Sequence, residues 1–195
     1  MFEGIYNTKE ECELNWYSEK IPLFLQRAVE LLGGKGKALD IGCGAGVFSA
    51  FMAHNGLKVT ALDYSSKALE LAKAKADSFG VNISFVHANV VQWQTTEKYE
   101  LVFDRGCLHN IRWGDRTRYK KRILEWMASD ASYILVHFGK EHLFNLALGG
   151  PVKKTPKEIE EFFSPELELK ESSYGAGKTG PLFHYWFALR RGATE

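Results

Sequence analysis

The apolar positions of this chain fall into short continuous runs separated by amphipathic segments. Runs at 38–42, 58–62, 83–87, 99–104 and 131–137 are bounded by glycine, charge or turn residues and predict five buried strands. Apolar residues recurring at three- and four-residue intervals predict helices over 21–32, 46–54, 66–79 and 115–128. Gly33-Gly34 and Gly80 stand where two of these helices must stop, and Ser65-Ser66 offers hydroxyls to the free N–H groups of a first turn. Buried runs joined by crossover helices argue for a parallel sheet covered on both faces. After a last helix at 156–163 the pattern changes. Stretches 167–171 and 183–189 read as strands with a glycine-rich connection and no helix between them, which predicts an antiparallel hairpin at one sheet edge.

The first strand runs into Asp40-Ile41-Gly42-Cys43-Gly44-Ala45-Gly46 and then into a helix. Closely spaced glycines between a strand and a helix let backbone approach a ligand where a side chain would collide. Dinucleotide-binding turns use G-x-G-x-x-G, whereas this turn is G-x-G-x-G with an acid two residues before its first glycine. An anion at that point suits a cationic amino-acid moiety and suits a pyrophosphate badly. A second acid, Asp63, ends the next apolar run 21 residues after Gly42. In nucleotide-binding βαβ units an acid at about that distance binds ribose hydroxyls, and Tyr64 beside it can cover an adenine ring. The third run ends at Asn89-Val90, where an amide can both accept and donate.

This pattern resembles the cofactor loop of the class I S-adenosylmethionine-dependent methyltransferases. The fold it implies is a Rossmann-like α/β three-layer sandwich, with a mostly parallel seven-stranded sheet and an antiparallel C-terminal strand inserted beside the fifth. The cofactor implied is S-adenosyl-L-methionine. The resemblance assigns Asp40, Gly42, Cys43, Gly44 and Gly46 to its methionine half, Asp63 and Tyr64 to its adenosine, and Asn89 and Val90 to the adenine edge. Trp93 is placed either on the adenine or in the core. Further along, Asp104-Arg105-Gly106, Gly114-Asp115-Arg116 and the stretch 149–162 are similar to the thiopurine and thiol S-methyltransferase branch, with tellurite-resistance methyltransferases as neighbours. In that branch a tryptophan-containing segment before the first helix closes over the methionine end, a role that falls to Trp16. The implied acceptor is a small thiol or other soft nucleophile. Asp104 is expected at the cofactor as well as at the acceptor, Arg105 as the cation facing the acceptor, and His109 or Asp104 as the proton acceptor. Trp113 and His142 are expected to line the same cleft.

With 195 residues and 45% apolar content, the chain is expected to be one methyltransferase domain, with 1–34 as a helical cover and 35–190 as the core. A formal charge of +1 gives no broad field toward nucleic acid or an anionic membrane. The basic cluster 116–122 reads as a solvated helix face. Three cysteines without C-x-x-C spacing indicate neither a disulfide framework nor a zinc site and fit a reducing cytoplasm. The first residues carry no secretory pattern, and no apolar run is long enough to span a bilayer. No metal is expected, and a monomer or homodimer fits. His54, His87, His137 and His184 lack a motif and are expected to be structural. Two other readings remain: an O- or N-methyltransferase of another metabolite, and a binding protein of this fold without turnover. The glycine spacing disfavours a dinucleotide-dependent oxidoreductase.

Overall fold

The computed structural model describes residues 5, 6, 13, 17–138, 154–177 and 180–189. Trp16, Cys12, His142 and residues 149–153 of the predicted motif lie outside them. In chain order the elements are α1 (Leu23–Leu32), β1 (Lys37–Ile41), α2 (Val47–His54), β2 (Lys58–Asp63), α3 (Ser66–Phe79) and β3 (Ile83–His87). There follow β4 (Tyr99–Arg105), two short 3-10 turns, α4 (Arg116–Trp126), β5 (Met127–Phe138), α5 (Pro156–Phe163), β6 (Leu167–Gly177) and β7 (Gly180–Leu189).

The strands form one seven-stranded sheet in the order β3-β2-β1-β4-β5-β7-β6. β1 to β5 run parallel, and β7 lies antiparallel between β5 and β6. This is the expected Rossmann-like arrangement. The period-two alternation of strands divides the core in two. Ala38, Leu101, Phe103, Ile134 and Val136 face Phe24, Leu25 and Met52 of α1 and α2. Leu39, Ile41, Val102, Tyr133 and Leu135 face Tyr119, Ile123 and Trp126 of α4 with Ile159 and Phe163 of α5. Both faces are therefore dry, which is why the strands read as unbroken apolar runs.

Caps behave as the sequence implies. Gly33 and Gly80 close α1 and α3 in the left-handed region at φ 57° and 64°, and Ser65 Oγ accepts the Ala68 N–H at 3.1 Å. α5 opens on a reciprocal capping box between Thr155 and Glu158, with proline at its first turn. The last parallel strand differs from expectation. The helix predicted to 128 ends at Trp126, and β5 already begins at Met127, which pairs with Tyr99 before a register shift.

Candidate active site

Strand order reverses between β1 and β4, so the crossovers leave a crevice above the carboxyl ends of these neighbours. The cavity found there is walled by the 42–46 turn, Asp40, Asp63, Tyr64, Arg105 and His109, among others. Gly42, Gly44 and Gly46 all have positive φ (67°, 55° and 78°), but their surroundings differ. A Cβ on Gly44 would lie 3.0 Å from the Tyr6 hydroxyl, at the cavity wall, whereas one on Gly46 would lie 2.7 Å from the Ala72 Cβ. Gly46 is therefore a packing glycine that lets the turn rest on α3.

Asp63 ties the turn down. Its carboxylate accepts the Gly44 N–H and the Ser65 N–H, both at 2.9 Å, so it links the β2 tip to the glycine turn and to the start of α3. Asp40 lies under the turn, buried, and accepts a hydrogen bond from Ser49 Oγ of α2. Burial raises its pKa to about 7; the Ser49 bond opposes this, and the negative charges of Asp63 and Asp104 add to it. Such a carboxyl is poised for a cationic partner.

Register decides which face each acid takes. Asp40 pairs with Phe103, and Ile41 pairs with Asp104. Asp40 and Arg105 therefore point to the α2 side, where the Arg105 guanidinium lies 5.3 Å from the Phe48 ring centroid. Burial lowers the Arg105 pKa and Asp40 opposes that shift. Asp104 points to the α4 side and departs from the expectation placed on it. It is 0% exposed, does not line the cavity, and has both oxygens occupied. One accepts from Cys107 N–H (2.7 Å), the other from Leu108 N–H (3.0 Å) and from the Tyr119 hydroxyl. Asp104 holds the turn after β4 and is neither a proton acceptor nor a cofactor contact in this geometry.

His109 does line the cavity. Gly106 makes room for its ring, since a Cβ there would come within 3.2 Å of His109 Cε1. Burial, then His137, Arg105 and Arg116, lowers its pKa to about 3, so the imidazole is neutral and a weak base. Cys43 and Cys107 are also on the wall, with thiols pushed well up by burial and hence unreactive as thiolates. Asn89 and Val90 lie in the turn after β3, outside the cavity wall, and the Asn89 side-chain oxygen Oδ1 accepts the Val91 N–H at 3.0 Å. Trp93 packs on Trp126 with ring centroids 5.0 Å apart, a core position. Trp113 is 79% exposed and off the wall.

The structure adds residues that pattern reading missed. Tyr6 and Tyr17 reach the wall from the N-terminal segment, where no periodicity marks them. Arg116 is 4% exposed and not a solvated charge. Its spacing from Tyr119, Ile123 and Trp126 placed it on the buried face, a signal the charge run obscured. Among the described residues no group of three or more His, Cys, Asp or Glu side chains could hold a metal ion, and no helix is long and apolar enough to cross a membrane.

Residues 38–130, which carry β1 from Ala38 onward, β2 to β4 and the glycine turn, match the methyltransferase domain family. Over these residues the chain is similar to a methyltransferase domain. A curated relative, the ubiquinone biosynthesis O-methyltransferase of Actinobacillus pleuropneumoniae serotype 5b (strain L20), is 35% identical over 94 residues, 45% of this chain and 40% of that protein. The matched stretch thus spans under half of that relative's length. The N-methyltransferase NodS from Bradyrhizobium japonicum WM9, solved with S-adenosyl-L-homocysteine, superposes with a TM-score of 0.75 at 16% identity over 97% of both chains. TehB from Haemophilus influenzae superposes with a TM-score of 0.73 at 16% identity, over 88% of this chain and 63% of that one. At such identities the two structures speak for the fold. TehB is one neighbour among methyltransferases of several names, and the thiopurine and tellurite branch is not singled out. S-adenosyl-L-methionine is the cofactor expected of the methyltransferase domain, and the cradle fits it. The glycine turn leaves backbone open to the cavity, and a buried carboxyl below it matches a cationic amino acid.

Proposed function

We propose that this chain transfers a methyl group from S-adenosylmethionine to a small-molecule acceptor, a thiol or other soft nucleophile. One observation carries the reading: the glycine turn sits between two acids, Asp40 beneath it and Asp63 bonded to it, at the β1–β4 crevice. When bound, the cofactor supplies a methyl group on a sulfonium, already activated toward in-line displacement. The protein's part is then to align the reactants. Asp40 provides the counter-charge for the amino-acid end, and Asp63, at the tip of β2 on the cavity wall, accepts from the ribose hydroxyls. Arg105 places a cation at the cavity wall, where it stabilises an anionic nucleophile.

The weakness of the available base supports the acceptor class. With His109 held near pKa 3, Asp104 turned away and Asp40 bonded to Ser49 beneath the glycine turn, where it is assigned to the amino group of the cofactor, no other described carboxyl or imidazole on the wall is suited to deprotonating an alcohol. A thiol ionises near neutral pH with little more than a nearby cation. The test is release of S-adenosylhomocysteine with a panel of thiols, phenols and amines. Turnover of thiols, reduced in Arg105→Ala with cofactor affinity kept, is the expected result. Turnover of phenols or amines alone overturns the thiol assignment, and binding of the cofactor without turnover of any acceptor identifies a non-catalytic binding protein.

A further inference from the structure

Behind His109, on the α4 side of the sheet, positive charge collects with no acid paired to it among the described residues. Arg116 opens α4, and its Nε donates to the Ile111 carbonyl at 3.3 Å, which fixes the plane of the guanidinium. Both terminal nitrogens are buried without a hydrogen-bond partner. His137 of β5 is buried as well; its Nδ1 lies 2.8 Å from the Phe138 carbonyl oxygen, and its Nε2 has no partner. Nδ1 of His109 is likewise unpartnered, and the two imidazoles meet edge to face at 5.4 Å. Lys154 completes the set: its Nζ is 5.6 Å from the centroid of the Trp113 ring, and Arg116 Cζ is 5.3 Å from the same centroid. The charge of Arg116 bears on both imidazoles, and that of Lys154 on His137.

Carboxylates that could answer this charge are engaged elsewhere. Asp104 serves Cys107, Leu108 and Tyr119, and Asp115 accepts from Arg118 at 3.2 Å. Among the described residues no acid pairs with Arg116. An unpaired buried charge is strongly destabilising, and an anionic ligand would relieve that cost here. Two unpartnered guanidinium nitrogens in a fixed plane match the two oxygens of a carboxylate.

We propose that Arg116, His137 and Lys154 form an anion-binding end of the acceptor site, and that the molecule methylated here carries a carboxylate or a comparable planar oxyanion. This rests on the methyltransferase reading above and narrows its substrate class. His109 connects the two regions, with one side on the cavity wall and its ring against His137. A small acid anchored at Arg116 thus extends its other end toward the glycine turn. Trp113, mostly exposed, lies against the two cations at the outer side of this end. With Nδ1 of His137 held at a carbonyl, Nε2 is left to take up a proton and donate to the anion.

The experiment titrates protein loaded with S-adenosylhomocysteine with benzoate and with its neutral analogue benzamide, by calorimetry. Wild type should prefer benzoate by roughly ten- to hundredfold, the worth of charge-assisted hydrogen bonds. Arg116→Met should lose that preference while keeping or raising its melting temperature and keeping its affinity for S-adenosylhomocysteine, because the change removes an unbalanced buried charge at similar volume. In wild type, benzoate should also shift the His137 imidazole titration upward in NMR spectra. Equal binding of the two probes, a preference retained in Arg116→Met, or a marked fall in that variant's melting temperature overturns the proposal. Titration without S-adenosylhomocysteine separates the readings: protein that prefers benzoate yet does not bind S-adenosylhomocysteine keeps the anion site and loses the proposed function.

Discussion

Replacing Asp40 with asparagine should make the unliganded protein more stable and less able to hold its cofactor. A carboxyl whose pKa moves from 3.8 in the unfolded chain to about 7 in the fold binds protons more tightly when folded. Between those values the folded state holds more protons than the unfolded one, so stability falls as pH rises and the loss is complete above pH 7. The interval of about three pH units corresponds to roughly 4 kcal/mol at pH 8. Asparagine has the same shape and still accepts from Ser49, but its buried amide needs a partner, which returns about 1 kcal/mol. Asp40→Asn should therefore gain about 3 kcal/mol at pH 8 and lose about 1 kcal/mol at pH 4, where the wild-type carboxyl is already neutral in the fold and only the cost of the amide remains. Urea unfolding followed by tryptophan fluorescence at pH 4, 6 and 8 measures this, and comparing variant with wild type cancels the other titrating groups. Calorimetry in two buffers of different ionisation enthalpy should show proton release on S-adenosylhomocysteine binding at pH 6.5 in wild type and not in the variant. A stability difference independent of pH, or a variant less stable at pH 8, would refute the argument that burial governs Asp40.

Asp63→Ala should weaken S-adenosylhomocysteine binding by about 1–3 kcal/mol, because it removes a ribose partner and strands the Gly44 N–H; unchanged affinity by calorimetry would take Asp63 out of the site. In Gly46→Ala the new methyl meets Ala72 at a positive φ, and a loss of about 2–4 kcal/mol is expected in urea unfolding, combining backbone strain with overpacking against α3. Tyr119→Phe removes a donor to the buried Asp104 carboxylate and should destabilise by about 1–3 kcal/mol while leaving S-adenosylhomocysteine affinity near wild type, a contrast that a cofactor role for Asp104 would not produce.

The sheet and its helices were legible because both faces are covered, so strands read as apolar runs and helices as their amphipathic spacers. The glycine turn and Asp63 were legible for a local reason: strand, turn and helix are contiguous. Facing was harder. That Asp104 turns away from Asp40 follows from the pairing of Ile41 with Asp104, a register between strands far apart in sequence. Arg116 was hidden by its neighbours: Arg118, Lys120, Lys121 and Arg122 form ion pairs, whereas Arg116 alone of that run shares the buried phase of Tyr119 and Ile123. Tyr6 reaches the turn through a contact no periodicity encodes.

The position of β7 bears on how the molecule is made. It is the last strand among the described residues, yet it lies inside the sheet, with β5 on one side and β6 on the other. During synthesis β5 therefore waits with an open edge, and β6 has no neighbour to join, until the residues after Gly180 emerge from the ribosome. Loss of those residues would split the sheet and expose Tyr133 and Leu135, instead of trimming a margin. The cavity depends on the same strand, because Leu182 of β7 is part of its wall beside Val136 and Phe138. A nascent chain thus acquires this part of the cavity wall only when β7 is inserted.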